Sequence, residues 1–195
     1  AARPRQERED RAAGPVVAWG LRAPPPIESA SAIAAGTNHS CAIQAGTGKV
    51  VCWGYNDSGK ATPPPSVDGT TGTASAIAAG YGHSCAIQAG TGAVVCWGHN
   101  SDGEATPPPS VNGNAGGATA ITAGWNYSCA IQAGSGAVIC WGSNLQGGQA
   151  TPPPSVNGTA GTASAIAAGD FHSCAIQAGT GAVTTPPERP HRLHP

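Results

Sequence analysis

Short runs of apolar residues, each only four or five residues long, recur along the chain between glycines and prolines. Examples are A-I-A-A, S-C-A-I-Q and V-V-C-W. Runs of this length are too short for helices and are typical of β-strands. The intervening T-P-P-P-S-V is predicted to be an extended spacer, because proline fixes φ and donates no backbone hydrogen bond. The pattern therefore predicts an all-β protein.

The strands belong to a tandem repeat of about 44 residues. S-C-A-I-Q-A-G begins at Ser40, Ser84, Ser128 and Ser173, and a degenerate V-V-A-W-G opens the array at Val16. The chain therefore contains three full units and two partial ones. The predicted units are 16–30 (degenerate), 31–74, 75–118, 119–163 and 164–183 (truncated), with disordered segments at 1–15 and 184–195.

Two cysteines occupy matching positions in neighbouring strands of each full unit. If S-C-A-I-Q pairs with V-V-C-W across a four-residue loop closed by Gln44 and Lys49, the cysteines face each other at a non-hydrogen-bonded site. The Cα atoms there lie within disulfide reach. Free thiols and a metal site are the alternatives to disulfides. The 11-residue spacing of the cysteines, without a C-x-x-C motif, matches zinc-binding motifs poorly. The predicted pairs are Cys41 with Cys52, Cys85 with Cys96, and Cys129 with Cys140.

The composition also indicates the cellular compartment of the protein. With 29 Gly, 18 Pro and 5% aromatic residues, a large apolar core is not expected, so covalent links must contribute to stability. Seven cysteines favour an oxidising compartment, outside the cell or on its surface. No apolar run is long enough to cross a bilayer, so no membrane insertion is expected. The lack of methionine indicates a processed product or a fragment, whose export signal lies outside the sequence.

Charge and motifs argue against several functions. The net charge is −1, and between residues 31 and 183 the only basic residues besides histidine are Lys49 and Lys60, so no nucleic-acid partner is expected. G-x-S-x-G, H-E-x-x-H, the P-loop and the dinucleotide fingerprint are all missing from the sequence. We therefore expect no catalysis, no cofactor and no metal.

The string G-x-x-H-S-C-A-I-Q-x-G-x-G-x-V-V-C-W-G-x-N-x-x-G-x-A-T at residues 80–106 resembles the repeat of the regulator of chromosome condensation superfamily, in a bacterial-type, cysteine-rich form. The resemblance covers roughly residues 31–183. It departs from the family pattern in the paired cysteines, the Pro-Pro-Pro linker and Tyr127 at a histidine position. The residues that carry it are His39, His83 and His172, Trp53-Gly54, Trp97-Gly98 and Trp141-Gly142, and Asn56, Asn100 and Asn144.

The resemblance implies a ring of usually seven four-stranded β-propeller blades, in which the tryptophans pack between blades. Because three full units and two partial ones cannot close such a ring, we predict an incomplete or open ring. The three histidines are expected to tie loops together by hydrogen bonds rather than to act as bases or ligands. The fourth copy breaks off after Val183, where T-T-P-P replaces the expected V-C-W-G. Cys174 therefore lacks its predicted partner.

Two rows of residues vary among otherwise uniform copies. The first, here called the loop row, follows each Ala-Gly, and exposed aromatic residues of this kind are typical interface anchors. Drift among duplicated copies is the alternative. The second, the turn row, spans 55–60, 99–104 and 143–149, where N-D-S-G predicts a turn rather than a calcium loop. The predicted binding residues of the loop row are Asn38, Tyr81, Trp125, Asn126, Asp170 and Phe171.

These observations favour a non-catalytic, protein-binding propeller segment that is secreted or displayed at the surface, similar to the propeller-shaped β-lactamase inhibitors of the superfamily. Guanine-nucleotide exchange with chromatin binding, as in the founding members, is an alternative that the disulfides and the missing basic patch disfavour. A structural spacer in a larger surface protein is another. The open propeller ends also predict self-association.

Overall fold

The computed structural model describes residues 14–19, 24–145, 147–179 and 183–184. These residues form β-strands and no helix, in four antiparallel sheets of three strands each. The strands are β1 (Ala30–Ala35), β2 (His39–Gln44) and β3 (Val50–Gly54) in blade 1, β4 (Ala74–Ala79), β5 (His83–Gln88) and β6 (Val94–Gly98) in blade 2, β7 (Ala118–Ala123), β8 (Tyr127–Gln132) and β9 (Val138–Gly142) in blade 3, and β10 (Ala163–Ala168), β11 (Ser173–Gln177) and β12 (Val183–Thr184) in blade 4.

The predicted blades are confirmed, and contacts join each blade to the next along an arc. Within the described part of the chain the arc does not close into a ring. Of the terminal segments predicted to be disordered, residues 1–13 and 185–195 lie outside the described residues.

The predicted hairpin register is confirmed. In blade 1, Cys41 faces Cys52 and Ser40 faces Trp53, and the Gln44 N–H donates to the Lys49 carbonyl at 2.8 Å. The predicted disulfides form in all three full blades, with Cα–Cα distances of 4.0, 4.1 and 4.1 Å, so the free-thiol and metal alternatives are wrong for these pairs. Cys174 is a free, half-buried thiol.

Two expectations need correction. The blades have three strands rather than four, and the Pro-Pro-Pro segment is more than an extended spacer. The N–H groups of Val67 and Asp68 both donate to the Pro64 carbonyl, which turns the chain and buries the Val67 side chain completely. Only the Val67 carbonyl joins the sheet, where it accepts the Val50 N–H at 2.9 Å. The prolines supply no donors with which to continue a fourth ladder.

The core lies between blades rather than within them. Trp97 of blade 2 is 8% exposed and packs on a blade 1 cluster that includes Cys41, Ile43, Val50 and Val67. Trp141 of blade 3 packs in the same way on blade 2. The expectation that tryptophans pack between blades is confirmed for these two.

Candidate binding surface

A buried hydrogen bond ties each blade to the next. His39 Nε2 lies 2.8 Å from the Ser84 hydroxyl, and that hydroxyl donates to the Lys60 carbonyl at 2.9 Å. Since the serine proton is used in this way, the imidazole must donate from Nε2, which leaves Nδ1 bare. Nδ1 of His39 is indeed buried without a partner. Protonation would keep this hydrogen bond but would add a buried Nδ1–H without an acceptor, so the site favours the neutral ring.

Burial, aided by the nearby Lys60 charge, lowers the pKa of His39 to about 4, and burial likewise lowers the pKa of His83 to about 4. Both rings are thus neutral at physiological pH. The expected structural role of these two histidines is confirmed, but they join blades rather than loops. His172, in the last blade, is exposed.

Tyr127 takes the histidine's place in blade 3. Its hydroxyl donates to the His172 carbonyl at 2.5 Å and lies 3.0 Å from the Ser173 hydroxyl. The side chain is fully buried. The departure from the family pattern therefore keeps the same connection to the next blade with a different donor.

The backbone carbonyls of Lys60 and Glu104 organise the blade interfaces. Each accepts two side-chain donors of the following blade: the Lys60 carbonyl accepts the Trp97 indole N–H at 2.9 Å as well as the Ser84 hydroxyl. The Glu104 carbonyl does the same for Trp141 and Ser128. Sequence analysis missed this role, although the unchanged G-x-A-T around each position was an available signal.

The turn row is held by its own polar contacts. The Asn56 side-chain oxygen accepts the Ala61 N–H at 2.7 Å, and Asp57 forms an ion pair with the buried Lys60. These contacts make the segment a turn, as predicted. In the next copy the fully buried Glu104 accepts hydrogen bonds from the His99 ring at 2.5 Å and the Asp102 N–H at 2.9 Å.

The loop row brings three aromatic rings of three blades into one stack. The Tyr81 and Trp125 ring centroids lie 4.2 Å apart with planes 6° apart, and those of Trp125 and Phe171 lie 5.2 Å apart at 23°. Tyr81 is 39% exposed and Phe171 47%, while Trp125 between them is half-buried. We call these three residues the aromatic stack.

Glycine allows the loops to approach closely enough to stack. The Tyr81 N–H donates to the Gly124 carbonyl of the next blade at 3.2 Å. A Cβ on Gly80 would lie 2.3 Å from that same carbonyl oxygen, a distance that real side chains do not tolerate. A glycine before each variable pair is therefore required for the row to form.

The other predicted residues flank the stack. Asn38 and Asp170 are exposed, and the Asp170 carbonyl accepts the Trp125 N–H at 3.2 Å. The Asn126 side-chain amide donates to the Asp102 carboxylate at 2.8 Å, so a loop-row residue of blade 3 holds a turn-row residue of blade 2.

The two variable rows meet at one cleft rather than forming separate sites. Its lining includes Asp102, Trp125, Asn126, Ser143 and Phe171. Leu145, which is 85% exposed, lies at the same cleft and was not among the predicted binding residues. Its position in the longer turn of the third copy was the only available signal.

The described residues can also be considered for metal binding and membrane insertion. No three or more His, Cys, Asp or Glu side chains lie together there as a metal ion would need. The same residues include no helix of the length and apolarity needed to span a membrane.

Comparison with known families identifies the repeat. The family described as "Regulator of chromosome condensation (RCC1) repeat" matches residues 30–60 and 74–104, which cover the three strands and following turn of blades 1 and 2. Blades 3 and 4 repeat the same pairing between their first two strands. No curated protein matches the chain.

Solved structures show the same architecture. The ectodomain of the receptor kinase CR4 from Physcomitrella patens is 27% identical, with a TM-score of 0.67 over 83% of this chain and 41% of that chain. The ectodomain of the Arabidopsis thaliana receptor kinase ACR4 is 28% identical, with a TM-score of 0.57 over 76% and 45%. Prp20p from Saccharomyces cerevisiae, at 20% identity and a TM-score of 0.54 over 75% and 42%, shares the fold.

The chain thus spans less than half the length of each of these proteins. Two repeats match the family, and all four blades follow one strand order. Residues 30–60 and 74–104 are therefore RCC1-type repeats, in an array of blades that share one strand order.

Proposed function

We propose that this propeller segment is a non-catalytic module that binds a partner protein through the loop row, outside the cell or on its surface. The aromatic stack is the observation that carries the proposal. Its end rings, Tyr81 and Phe171, are 39% and 47% exposed, and the exposed Leu145 lies at the same cleft. Exposed aromatic residues held in place by packing lose little conformational freedom on binding and are typical hot spots.

The geometry also indicates the kind of partner. Both faces of the Trp125 ring are covered by Tyr81 and Phe171, so its edge rather than its face is available. A sugar ring, which would stack on an open indole face, fits this arrangement poorly. The ring edges and the exposed Leu145 form an apolar centre, and Asp102 and Asn126 lie at its rim. Such a surface is complementary to a protein that presents apolar side chains ringed by hydrogen-bonding groups.

The compartment is inferred from the disulfides. Three bridges link the second and third strands of blades 1, 2 and 3, and such bridges persist in oxidising surroundings. Two of the similar structures are receptor-kinase ectodomains. Prp20p, whose binding to Gsp1p and histones has been described, supports an exchange or chromatin role less well, because at 20% identity the likeness concerns the fold alone.

The test uses the full chain as bait for proteins of an extracellular or cell-surface fraction. We expect the wild type to retain a partner that the triple variant Tyr81→Ala, Trp125→Ala, Phe171→Ala loses. Hot-spot truncations cost about 2 kcal/mol or more each, so the dissociation constant should rise by several orders of magnitude. Tyr55→Ala is the matched control, because Tyr55 is also exposed but lies outside the stack.

Folding must be measured on the same samples. The stacked rings contact each other, and aromatic pairs contribute about 0.5–1.5 kcal/mol each, so the triple variant should melt somewhat earlier yet remain folded at assay temperature. A partner that binds the folded triple variant as tightly as the wild type would contradict the proposal. A wild-type chain that retains no protein would favour the spacer alternative.

A further inference from the structure

Two large apolar side chains near the start of the described chain are mostly exposed to solvent. Val17 is 73% exposed and Trp19 is 90% exposed, whereas Val16 and Ala18 between them are half-buried. The segment belongs to the sequence V-V-A-W-G, which matches V-V-C-W-G of β3 and β6 and V-I-C-W-G of β9. It therefore has the sequence of a third blade strand, but the sheets of the described residues leave it out.

In the part of the chain that the structure describes, the fourth blade lacks the feature that this segment has, a third strand that carries a tryptophan. Among the described residues its third strand, β12, comprises two residues, whereas β3, β6 and β9 have five each. By alignment of the copies, Pro186 stands where Trp97 and Trp141 stand in blades 2 and 3. The apolar cluster between blades 3 and 4 accordingly contains Tyr127, Val138 and Val156 but no tryptophan among the described residues.

An apolar groove lies where that tryptophan would pack. It is lined by Cys129, Val138, Cys140, Val156, Ile166 and Ser173. The matching spaces between blades 1 and 2 and between blades 2 and 3 hold Trp97 and Trp141. At both equivalent interfaces a tryptophan fills this space, so a tryptophan side chain is expected to fit the groove.

We propose that residues 16–19 of one copy of this chain complete the fourth blade of a second copy, with Trp19 in the groove between blades 3 and 4. The association is head-to-tail, because the donated strand lies at one end of the arc and the acceptor blade at the other. It is independent of the loop row.

The exposed faces match. In blade 2 the side chains that pack on the preceding blade are Val95 and Trp97. Val17 and Trp19 occupy the corresponding positions in V-V-A-W-G, and they are the two exposed members of the segment. In the register of the other blades Trp19 faces Ser173, and Ala18 faces Cys174.

The short link to blade 1 permits this arrangement. Gly14 pairs with Ala30 at the start of β1, and Trp19 lies five residues beyond Gly14, a stretch that spans roughly 17 Å when extended. Stacked sheets lie about 10 Å apart, so the segment can reach the neighbouring blade of another copy. The incoming strand must displace β12, which pairs Val183 with Ile176 and Thr184 with Ala175. In the incoming strand, Val17 stands at the position of Thr184 and Trp19 at the position of Pro186.

A cysteine introduced on the donated strand tests the register. Ala18→Cys would face Cys174 as Cys52 faces Cys41, whose Cα atoms are 4.0 Å apart. With oxidised glutathione as the oxidant, we expect Ala18→Cys to give covalent dimers and larger multimers on non-reducing gels. Val17→Cys, whose side chain points to the other face, and the double variant Ala18→Cys, Cys174→Ser are the controls and should stay uncross-linked.

Two results would overturn the proposal. One is equal cross-linking of Ala18→Cys and Val17→Cys. The other is a bridge from the introduced cysteine to Cys174 of the same chain, recognised by a cross-linked monomer mass, which would mean that the array closes on itself. Without oxidant, Trp19→Ala should weaken wild-type self-association in sedimentation by at least tenfold. A wild type that stays monomeric at every concentration would also refute the proposal.

Discussion

The His83 ring is hydrogen-bonded through Nε2 to the Ser128 hydroxyl of the next blade at 2.8 Å, and both residues are fully buried. The hydroxyl in turn donates to the Glu104 carbonyl, which also accepts the Trp141 indole at 2.9 Å. Four hydrogen-bonding groups from two blades therefore share one buried site. This network fixes the angle between blades and so the alignment of the loops that carry the aromatic stack.

The first prediction follows from the neutral histidines. Folding lowers the pKa of His39 and His83 to about 4, whereas an unfolded histidine titrates near 6.5. Between these values the unfolded chain binds more protons, so the free energy of unfolding should fall as the pH drops from 6.5 towards 4. The expected loss by pH 5 is on the order of 2 kcal/mol per histidine. Urea denaturation at pH 7 and pH 5 measures it.

His83→Gln serves as the control for this prediction. Its amide can still donate to Ser128 but does not titrate, so its stability should depend less on pH than that of the wild type. Identical pH dependence in the two proteins would show that other groups are responsible.

The second prediction concerns tryptophan packing. Trp97→Ala should lower the free energy of unfolding by about 3–5 kcal/mol, because it removes a buried side chain and leaves a cavity between blades 1 and 2. Trp97→Phe keeps most of the packing but loses the N–H donated to the Lys60 carbonyl, and should cost less. Trp53→Ala, at a half-buried residue, is the matched comparison. Equal destabilisation by Trp53→Ala and Trp97→Ala would contradict the inter-blade role.

The third prediction concerns the disulfides. Each bridge closes a loop between cysteines separated by 11 residues, and on the loop-entropy model such a bridge contributes about 3 kcal/mol. The double variant Cys85→Ser, Cys96→Ser should melt clearly earlier than the wild type by circular dichroism. Cys174→Ser removes a thiol that makes no bridge and should melt with the wild type. If added reductant leaves the wild-type melting curve unchanged, the bridges do not stabilise the blades.

The fourth prediction concerns the buried carboxylate. Glu104→Gln should be tolerated, at a cost of about 1 kcal/mol, since glutamine keeps an acceptor for the Asp102 N–H and Gln149 is buried at the same position of the next copy. Glu104→Leu removes the acceptors for both Asp102 and His99 and should cost more. Chemical denaturation of the two variants compares them directly, and equal stability would mean that these hydrogen bonds contribute nothing.

The sequence predicted what depends on local pairing. The register that places Cys41 opposite Cys52 follows from strand length and loop length alone, so it could be found without knowing how blades are arranged. The turn that buries Val67 was missed, because prolines were expected to keep the segment extended. In fact the Pro64 carbonyl accepts two N–H groups that follow it.

Features that depend on two blades at once were harder to predict. The loop row was recognised from its variation, but the stacking of Tyr81 on Trp125 depends on the spacing between blades. Phe171 joins the stack although its position in the fourth copy corresponds to Asn126 rather than to Trp125. No pattern within one copy contains that information.

The two-residue β12 has a consequence for how the protein opens. Because each blade contacts only its neighbours in an open array, unfolding can begin at either end and progress blade by blade. Blade 4 combines the shortest third strand with a groove that holds no tryptophan among the described residues, so it should fray first. Amide hydrogens of β11 should then exchange with solvent faster than those of β5 and β8, whose blades have neighbours on both sides.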